Sequence, residues 1–233
     1  MDVSHRDRQQ MIQNQVAARG IDDARVLAAM ARVDRAAFLP ADRRAQAYED
    51  PLQPIGEGAA MPKPYVLALM AQIARIDRDD RVLEVGTGSG YRAAVLSRLA
   101  RRVDTIERRP PLAHAARTRL DAAGYSSVRV TVGDGTLGRP AAAPFDAILV
   151  CAGAPSVPAP LMTQLSMGGR LVIPVGDPAS REGARLVRVV RTGPASWSQE
   201  PLATVRLPPL IGAHGWAPRG VFPRVPGDPG RAG

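Results

Sequence analysis

The sequence predicts an α/β protein whose mostly parallel, seven-stranded sheet has helices on both faces and a helical cover at the N-terminus. Two observations predict it. From residue 81 onward short apolar runs alternate with segments of helical periodicity, which is typical of a parallel sheet. A glycine-rich loop also follows the first of these runs, as in α/β proteins that bind their ligands at strand ends. We expect one domain, with N-terminal helices and a loop in 1–78, the sheet in 79–216 and a tail in 217–233.

Two helices are predicted at the N-terminus. Apolar residues recur at helical spacing in 5–19 and again in 22–33. Gly20 is placed to end the first helix and Asp22 to cap the second. Residues 40–64 are rich in proline, glycine and charge without a clear period, and we expect an ordered loop laid over the core. Pro64 then suits the first turn of a helix that continues over 65–76.

The remaining elements follow in alternation. We expect strands at 82–85, 103–106, 128–132, 145–150 and 170–175, helices at 91–99, 112–123 and 158–165, and a closing antiparallel pair at 185–191 and 202–207. Residues 217–233 consist largely of proline, glycine and arginine, so we expect a mobile tail there.

Composition limits the possible partners. The formal charge is +9, and Lys63 is the one lysine among 31 basic residues, which leaves 30 arginines. These arginines are scattered through the chain, and aromatic residues make up only 4% of it, so a nucleic-acid partner is disfavoured. The single cysteine, Cys151, cannot form an internal disulfide. We expect no signal peptide and no membrane span, because the first ten residues are polar and no apolar run approaches membrane-spanning length. We expect a cytoplasmic protein that is monomeric and contacts no membrane.

The loop Gly86-Thr87-Gly88-Ser89-Gly90 follows the first strand of the predicted sheet. Its glycines allow a sharp turn and a close approach of the backbone to a ligand. Dinucleotide-binding loops have the spacing G-x-G-x-x-G, whereas this loop has G-x-G-x-G with the acidic Glu84 before it and Tyr91 after it. The variant resembles the first motif of Rossmann-like class I methyltransferases, in which the loop backs the methionine part of S-adenosylmethionine.

Two more acidic residues follow the next strands. Glu107, with Arg108 after it, closes the second strand, where a carboxylate can accept hydrogen bonds from both ribose hydroxyls. Asp134, before Gly135, follows the third strand and can accept from an adenine amino group. A single acidic residue at a strand end is commonly a solvated turn residue, but three beside a glycine loop favour an adenosine site. We expect S-adenosyl-L-methionine as the cofactor.

Beyond the class, the chain resembles one family of methyltransferases. The segments that carry this resemblance are 11–21, 25–30, 35–40, 47–50, 54–56, 84–91, 106–108, 133–135, 143–146, 168–176 and 205–215. They are similar to protein-L-isoaspartate O-methyltransferases over nearly the whole chain. The resemblance implies methylation of the free α-carboxylate of L-isoaspartyl residues, which form when asparagine deamidates or aspartate isomerises. It implies protein repair, with damaged proteins and peptides as partners.

The chain departs from that family in one loop. The family pattern is Gly-x-Gly-Gln-Thr-Ile-Ser-Gln-Pro, and its threonine and serine hydroxyls help to position the reacting carboxylate. This chain has Ala60 at the threonine position and Pro62 at the serine position, so both hydroxyls are absent and proline offers no backbone N–H instead. Lys63, in the same loop, either holds the substrate carboxylate as a point charge or is solvent-exposed.

Two alternatives therefore stay open. The chain is either a methyltransferase of the same descent that acts on another peptide or small-molecule carboxylate, or a cofactor-binding protein without catalysis, as the two missing hydroxyls suggest. No metal site is expected, because His5, His114 and His214 are far apart in the sequence.

Overall fold

The computed structural model describes residues 3–177 and 180–218. From residue 219 onward, the expected tail lies outside the described residues. The described part forms an N-terminal helical region, a two-stranded hairpin and a seven-stranded sheet with its helices.

The N-terminal cover contains helices α1 (Val3–Met11) and α2 (Ala24–Arg32). The single helix expected over 5–19 is instead α1 followed by a π-helical turn, Ile12–Val16, and a 3-10 turn, Ala17–Arg19. Gly20 ends this run with a φ of 89°, as glycine does after many helices.

Asp23 caps α2, whereas the sequence suggested Asp22. The Asp23 carboxylate accepts hydrogen bonds from the backbone N–H groups of Arg25 and Val26 at 2.9 and 3.2 Å. Since a cap satisfies the second and third N–H groups of its helix, a helix beginning at Ala24 requires the residue just before it. The backbone N–H groups of Asp22 and Asp23 donate to the Gln72 side chain, which ties this turn to the next helix.

Residues 40–64 are more regular than the loop that we expected. They contain a 3-10 turn, Ala41–Gln46, and an antiparallel hairpin of β1 (Gln53–Gly56) and β2 (Ala59–Met61). Both residues of the hairpin turn, Glu57 and Gly58, have positive φ, as tight two-residue turns often require.

The remaining elements alternate as predicted. The helices are α3 (Pro64–Ala74), α4 (Tyr91–Leu96), α5 (Pro110–Ala122) and α6 (Ala159–Thr163), and the strands are β3 (Arg81–Val85), β4 (Arg102–Glu107), β5 (Val128–Val132), β6 (Phe145–Val150), β7 (Leu165–Val175), β8 (Ala184–Gly193) and β9 (Ser196–Val205). The strand order is β5-β4-β3-β6-β7-β8-β9, parallel from β5 to β7 and antiparallel for β8 and β9. The predicted fold class is confirmed. The order reverses between β3 and β6, which opens a crevice at their carboxyl ends.

Element ends differ from the sequence prediction where side-chain polarity is a poor guide. Strand β7 begins at Leu165, five residues before the expected start, and α6 is correspondingly shorter. Strand β9 begins at Ser196 and not at 202. Its first residues are largely exposed, so they lack the alternation that marks a half-buried strand.

Apolar side chains form a core on each face of the sheet. Val82 of β3 packs into a cluster that includes Met30 of α2 and Leu67 of α3. Its neighbour Leu83 belongs to the cluster on the opposite face, together with Leu161 of α6. Because successive strand residues point to opposite faces, the buried strands support helices on both sides, as predicted.

Candidate active site

A cavity of about 540 Å³ lies at the carboxyl ends of β3, β4 and β6. Its walls are the glycine loop, the end of β4, the β1–β2 hairpin and the C-terminal segment 206–211. Two parts that are distant in sequence, the expected cofactor loop and the expected substrate loop, therefore border one space.

The glycine loop adopts a backbone conformation that favours glycine. Gly86, Gly88 and Gly90 all have positive φ, at 97°, 55° and 92°, which other residues adopt only with strain. A Cβ on Gly90 would lie 3.3 Å from Leu120 of α5. Gly90 thus lets α4 begin close against α5, while the other two glycines border the cavity.

Glu84 lies completely buried at the end of β3. The Thr105 hydroxyl donates to its carboxylate at 2.7 Å and lies 2.7 Å from the Thr87 hydroxyl. Burial raises the pKa of Glu84 to about 7, although Arg92 and Thr105 limit the rise. Thr87 of the glycine loop is thus connected to Glu84 through the Thr105 hydroxyl.

Glu107 connects the second strand to the glycine loop. One carboxylate oxygen accepts from the backbone N–H of Gly88 and the other from that of Arg109, both at 3.0 Å. Each carboxylate oxygen can accept a further hydrogen bond, so Glu107 keeps the capacity to bind two hydroxyl groups of a ligand. Arg108 lines the same part of the cavity.

Asp134 is turned toward the C-terminal segment. Its carboxylate accepts from the backbone and hydroxyl of Thr136 at 2.9 and 2.7 Å, and from the backbone N–H of Ala213 at 2.7 Å. Burial alone would raise the pKa of Asp134, but these hydrogen bonds outweigh it and lower that pKa. Gly135 lines the cavity. Asp134 instead acts as a clamp, by which we mean that its carboxylate binds the backbone of the C-terminal segment at Ala213.

The altered loop forms another wall of the same cavity. Ala60 and Pro62 both line the cavity, and the Pro62 carbonyl accepts a hydrogen bond from Arg35 at 3.0 Å. Lys63 is partly exposed, and its Nζ lies 2.5 Å from the Asp50 carboxylate. The geometry thus brings Ala60 and Pro62 to the site but directs Lys63 toward Asp50.

Sequence reasoning missed four arginines on the cavity wall, namely Arg35, Arg92, Arg109 and Arg206. Arg35 is buried, with its guanidinium centre 5.1 Å from the centroid of the Tyr91 ring. Arg92 is buried in the first turn of α4, and Arg109 donates to the backbone of Glu57 in the hairpin. A signal existed for Arg92, since it is a single charge within the otherwise apolar run Tyr91–Leu96. The other three were indistinguishable from the many surface arginines.

Within 3–177 and 180–218, no group of three histidine, cysteine, aspartate or glutamate side chains is arranged to hold a metal ion. Over the same residues, no helix combines the length and the apolarity needed to cross a membrane. Cys151 is buried on the cavity wall, with its Sγ 3.9 Å from Glu84.

A glycine loop after the first strand of such a sheet, with carboxylates at the ends of the first two strands, defines a class I S-adenosylmethionine-dependent methyltransferase. A family model described as protein-L-isoaspartate(D-aspartate) O-methyltransferase matches residues 6–215. The chain belongs to this family, and S-adenosylmethionine is its cofactor.

Curated relatives share about half of the sequence. A protein-L-isoaspartate O-methyltransferase of Rhodopseudomonas palustris is 51% identical over 206 residues, which cover 88% of this chain and 94% of that protein. One of Roseiflexus castenholzii is 53% identical over 198 residues, covering 85% and 89%. The matches span nearly the full length of the relatives.

Solved structures agree with the fold. One protein-L-isoaspartate O-methyltransferase aligns with a TM-score of 0.79 and 26% identity, over 89% of this chain and 67% of that one. A putative enzyme of the same name from Plasmodium falciparum, in complex with S-adenosyl-L-homocysteine, aligns with a TM-score of 0.76 over 88% and 98% of the two chains. At 21% identity, this second structure shows the fold alone.

Proposed function

We propose that this protein transfers the methyl group of S-adenosylmethionine to the α-carboxylate of L-isoaspartyl residues in damaged proteins and peptides. One observation carries the proposal: the glycine loop and residues 58–62 line the same cavity. A methyl donor on the first wall and a carboxylate on the second would therefore meet. The names and identities of the curated relatives support the same substrate.

The cofactor would be held by the residues around the glycine loop. Glu84 and the segment 86–91 would face its methionine part, while Glu107 and Arg108 would face its ribose. Gly135 would lie near the adenine, with Asp134 acting there either on the adenine amino group or through the segment that it clamps. These residues fit the cofactor, because Glu107 can accept further hydrogen bonds at the cavity and Glu84 offers a buried carboxylate.

The reaction requires alignment more than proton transfer. The cofactor supplies an electrophilic sulfonium methyl group. An acceptor carboxylate with an ordinary pKa near 4 is ionised at pH 7, so this protein's residues need not remove a proton. Their task is to hold the acceptor oxygen in line and to exclude water. Ala60 and Pro62 contribute no side-chain hydrogen bond to that alignment.

The experiment is isotopic methyl transfer from labelled S-adenosylmethionine to an isoaspartyl peptide, the matching aspartyl peptide and buffer alone. We expect base-labile label in the isoaspartyl peptide only. Label in the aspartyl peptide or in another carboxylate would favour redirected specificity. Cofactor binding without any transfer would favour the non-catalytic alternative, which the two missing hydroxyls motivate.

We propose that the protein works as a cytoplasmic monomer formed by one domain, and that nucleic acid is not its partner. The common apolar cluster of the N-terminal helices and the sheet supports a single unit. Many arginines are also engaged internally, as Arg170 is with Asp80 at 2.6 Å, which argues against a dedicated basic surface. Sedimentation velocity tests the monomeric state, and the same experiment with a DNA duplex tests nucleic-acid binding.

A further inference from the structure

Arg92 is a buried cation whose hydrogen-bonding capacity is largely unused. It follows the glycine loop in the first turn of α4, is 6% exposed and lines the cavity. Its Nε and Nη1 atoms have no hydrogen-bond partner among the residues that the structure describes. The Glu84 carboxylate lies 4.0 Å from Nε, beyond hydrogen-bond distance.

The cavity supplies too little negative charge to balance this guanidinium. Five arginines line the cavity against two glutamates. Glu107 accepts from two backbone N–H groups, and Glu84, whose pKa is about 7 because it is buried, is only partly ionised at neutral pH. Arg35 adds a second buried cation, whose donors reach the neutral carbonyls of Ala47 and Pro62 and, among the described residues, no carboxylate within 4 Å. A buried charge without a hydrogen-bonded counter-charge is unfavourable.

We propose that Arg92 binds a carboxylate group of a ligand in this cavity. A guanidinium presents a planar set of donors that matches a carboxylate, and such pairs are frequently bidentate. Both ligands of the proposed function, on which this inference rests, carry one: the methionine part of the cofactor and the α-carboxylate of the acceptor. The wall formed by Ala60 and Pro62 has no side-chain donor, so Arg92 is a cavity group that can serve in place of the missing hydroxyls.

The first test concerns the cofactor carboxylate. Calorimetry compares S-adenosylhomocysteine with its decarboxylated analogue, on the wild type, Arg92→Gln and Arg92→Lys. If Arg92 binds this carboxylate, decarboxylation weakens binding to the wild type by roughly tenfold or more and has little further effect on Arg92→Gln. Arg92→Lys keeps the charge without the planar donors and should lie between the two.

The second test concerns the acceptor carboxylate. Competition binding, which needs no turnover, compares an isoaspartyl peptide with the same peptide amidated at the α-carboxylate, in the presence of saturating S-adenosylhomocysteine. If Arg92 binds the acceptor, the wild type prefers the free carboxylate by roughly tenfold or more and Arg92→Gln loses that preference. Arg98→Gln, the same change at an exposed arginine beyond the end of α4, is the matched control and should behave as the wild type.

A preference for one carboxylate that Arg92→Gln abolishes supports the proposal and identifies its source. If Arg92→Gln weakens the binding of ligands with and without the carboxylate equally, or weakens neither, the proposal is wrong. If Arg92→Gln fails to fold, the wild type and Arg92→Lys decide. A wild type that binds the ligands with and without the carboxylate equally well overturns the proposal. A wild-type preference for the carboxylate that Arg92→Lys reduces supports the proposal. A protein that binds S-adenosylhomocysteine but methylates no isoaspartyl peptide refutes the proposed function, while the cofactor arm still decides the role of Arg92.

Discussion

At the scale of single residues, the burial of Glu84 couples the stability of the protein to pH. Its pKa rises from 4.5 to about 7 on folding, so between these values the folded state binds more protons than the unfolded state. The free energy of unfolding therefore falls as pH rises through this window. The penalty is absent below pH 4.5 and complete above 7, where it amounts to about 3 kcal/mol.

We expect Glu84→Gln to remove this pH dependence, because glutamine has no charge to bury. Chemical denaturation of the cofactor-free protein at several pH values from 5 to 8 measures it. Relative to the variant, the wild type should lose on the order of 3 kcal/mol across that range. Glu182→Gln, at an exposed glutamate, is the control and should leave the wild-type profile intact. A stability difference between wild type and Glu84→Gln that does not vary with pH would show that Glu84 is ionised throughout.

Glu107 provides a second residue-scale prediction. Glu107→Gln keeps one acceptor oxygen but loses the charge and one of the two oxygens that hold Gly88 and Arg109. Hydrogen bonds to charged groups contribute about 1.5 to 3 kcal/mol each, so the affinity for S-adenosylhomocysteine should fall by about tenfold or more. Titration calorimetry measures it, with Glu182→Gln again as the control. Unchanged affinity would remove Glu107 from the cofactor site.

The sequence was sufficient to place Glu84 and Glu107, because each lies at the carboxyl end of a strand. It placed Asp134 after β5 but did not predict the contact of its carboxylate with Ala213. The Ala213 N–H that binds its carboxylate is 79 positions away, and periodicity carries no information about such a contact. Arg92 was missed for a related reason, since its unused donors are visible only once its neighbours are in place.

At the scale of elements, the β1–β2 hairpin was the main error of the sequence prediction. Its strands have four and three residues, too few to establish an alternating pattern. Its turn is Glu57-Gly58, where the typical signal would be Asn-Gly or Asp-Gly. The parallel strands were predicted to within one residue, except for the start of β7, because each contains a short run rich in valine, isoleucine or leucine between turn or helix signals.

The hairpin and the turn after it are where we expect activity to be improved. Ala60→Thr with Pro62→Ser would restore two hydroxyl groups on the cavity wall while keeping the Pro62 carbonyl position that accepts from Arg35. One or two hydrogen bonds that form mainly in the transition state would raise the turnover of an isoaspartyl peptide. We expect a gain of about tenfold, which is the lower end of what such bonds can give. The loss of Pro62 also frees the loop backbone, which favours this lower figure.

Steady-state kinetics at saturating S-adenosylmethionine measure the gain, which should appear in kcat. Lys63→Ala is the comparison: because Lys63 pairs with Asp50, we expect its removal to change turnover less than the double substitution does. A wild type as active as ordinary family members, combined with an inert or harmful double substitution, would show that these hydroxyls are not required here.

At the scale of the whole molecule, arginine side chains join distant parts of the chain. Arg170 donates to the carbonyls of Ala74 and Arg75 at the C-terminal end of α3, and Arg25 donates to that of Ile76 just beyond this end. Cations are favourable at that end of a helix, where carbonyl groups lack partners within the helix. Part of the +9 charge is thus used inside the fold, which composition alone does not reveal.

The C-terminal segment closes the cavity in the same long-range manner. Residues 206–211 form one wall, and the chain beyond them is anchored at two points. At the first point, the Trp216 indole donates to the Gly153 carbonyl at 2.9 Å. At the second, the Ala213 N–H donates to Asp134 at 2.7 Å and the His214 N–H to the Thr136 hydroxyl at 3.1 Å. The cavity wall is therefore attached to the loops that follow β5 and β6.

We expect Asp134→Ala to loosen this segment, since it removes the charged acceptor of the Ala213 N–H and costs about 1 to 2 kcal/mol at this partly exposed site. Limited proteolysis should cleave near residues 212–216 faster than in the wild type, and Asp134→Asn, which keeps an acceptor oxygen, should restore part of the protection. Asp121→Ala, at an exposed aspartate on α5, is the control and should leave cleavage unchanged.

The same variants tested for S-adenosylhomocysteine binding separate the two roles of Asp134. If Asp134 acts only on the adenine, Asp134→Ala weakens binding with no change in proteolysis; if it acts as the clamp, cleavage increases and bound S-adenosylhomocysteine slows it.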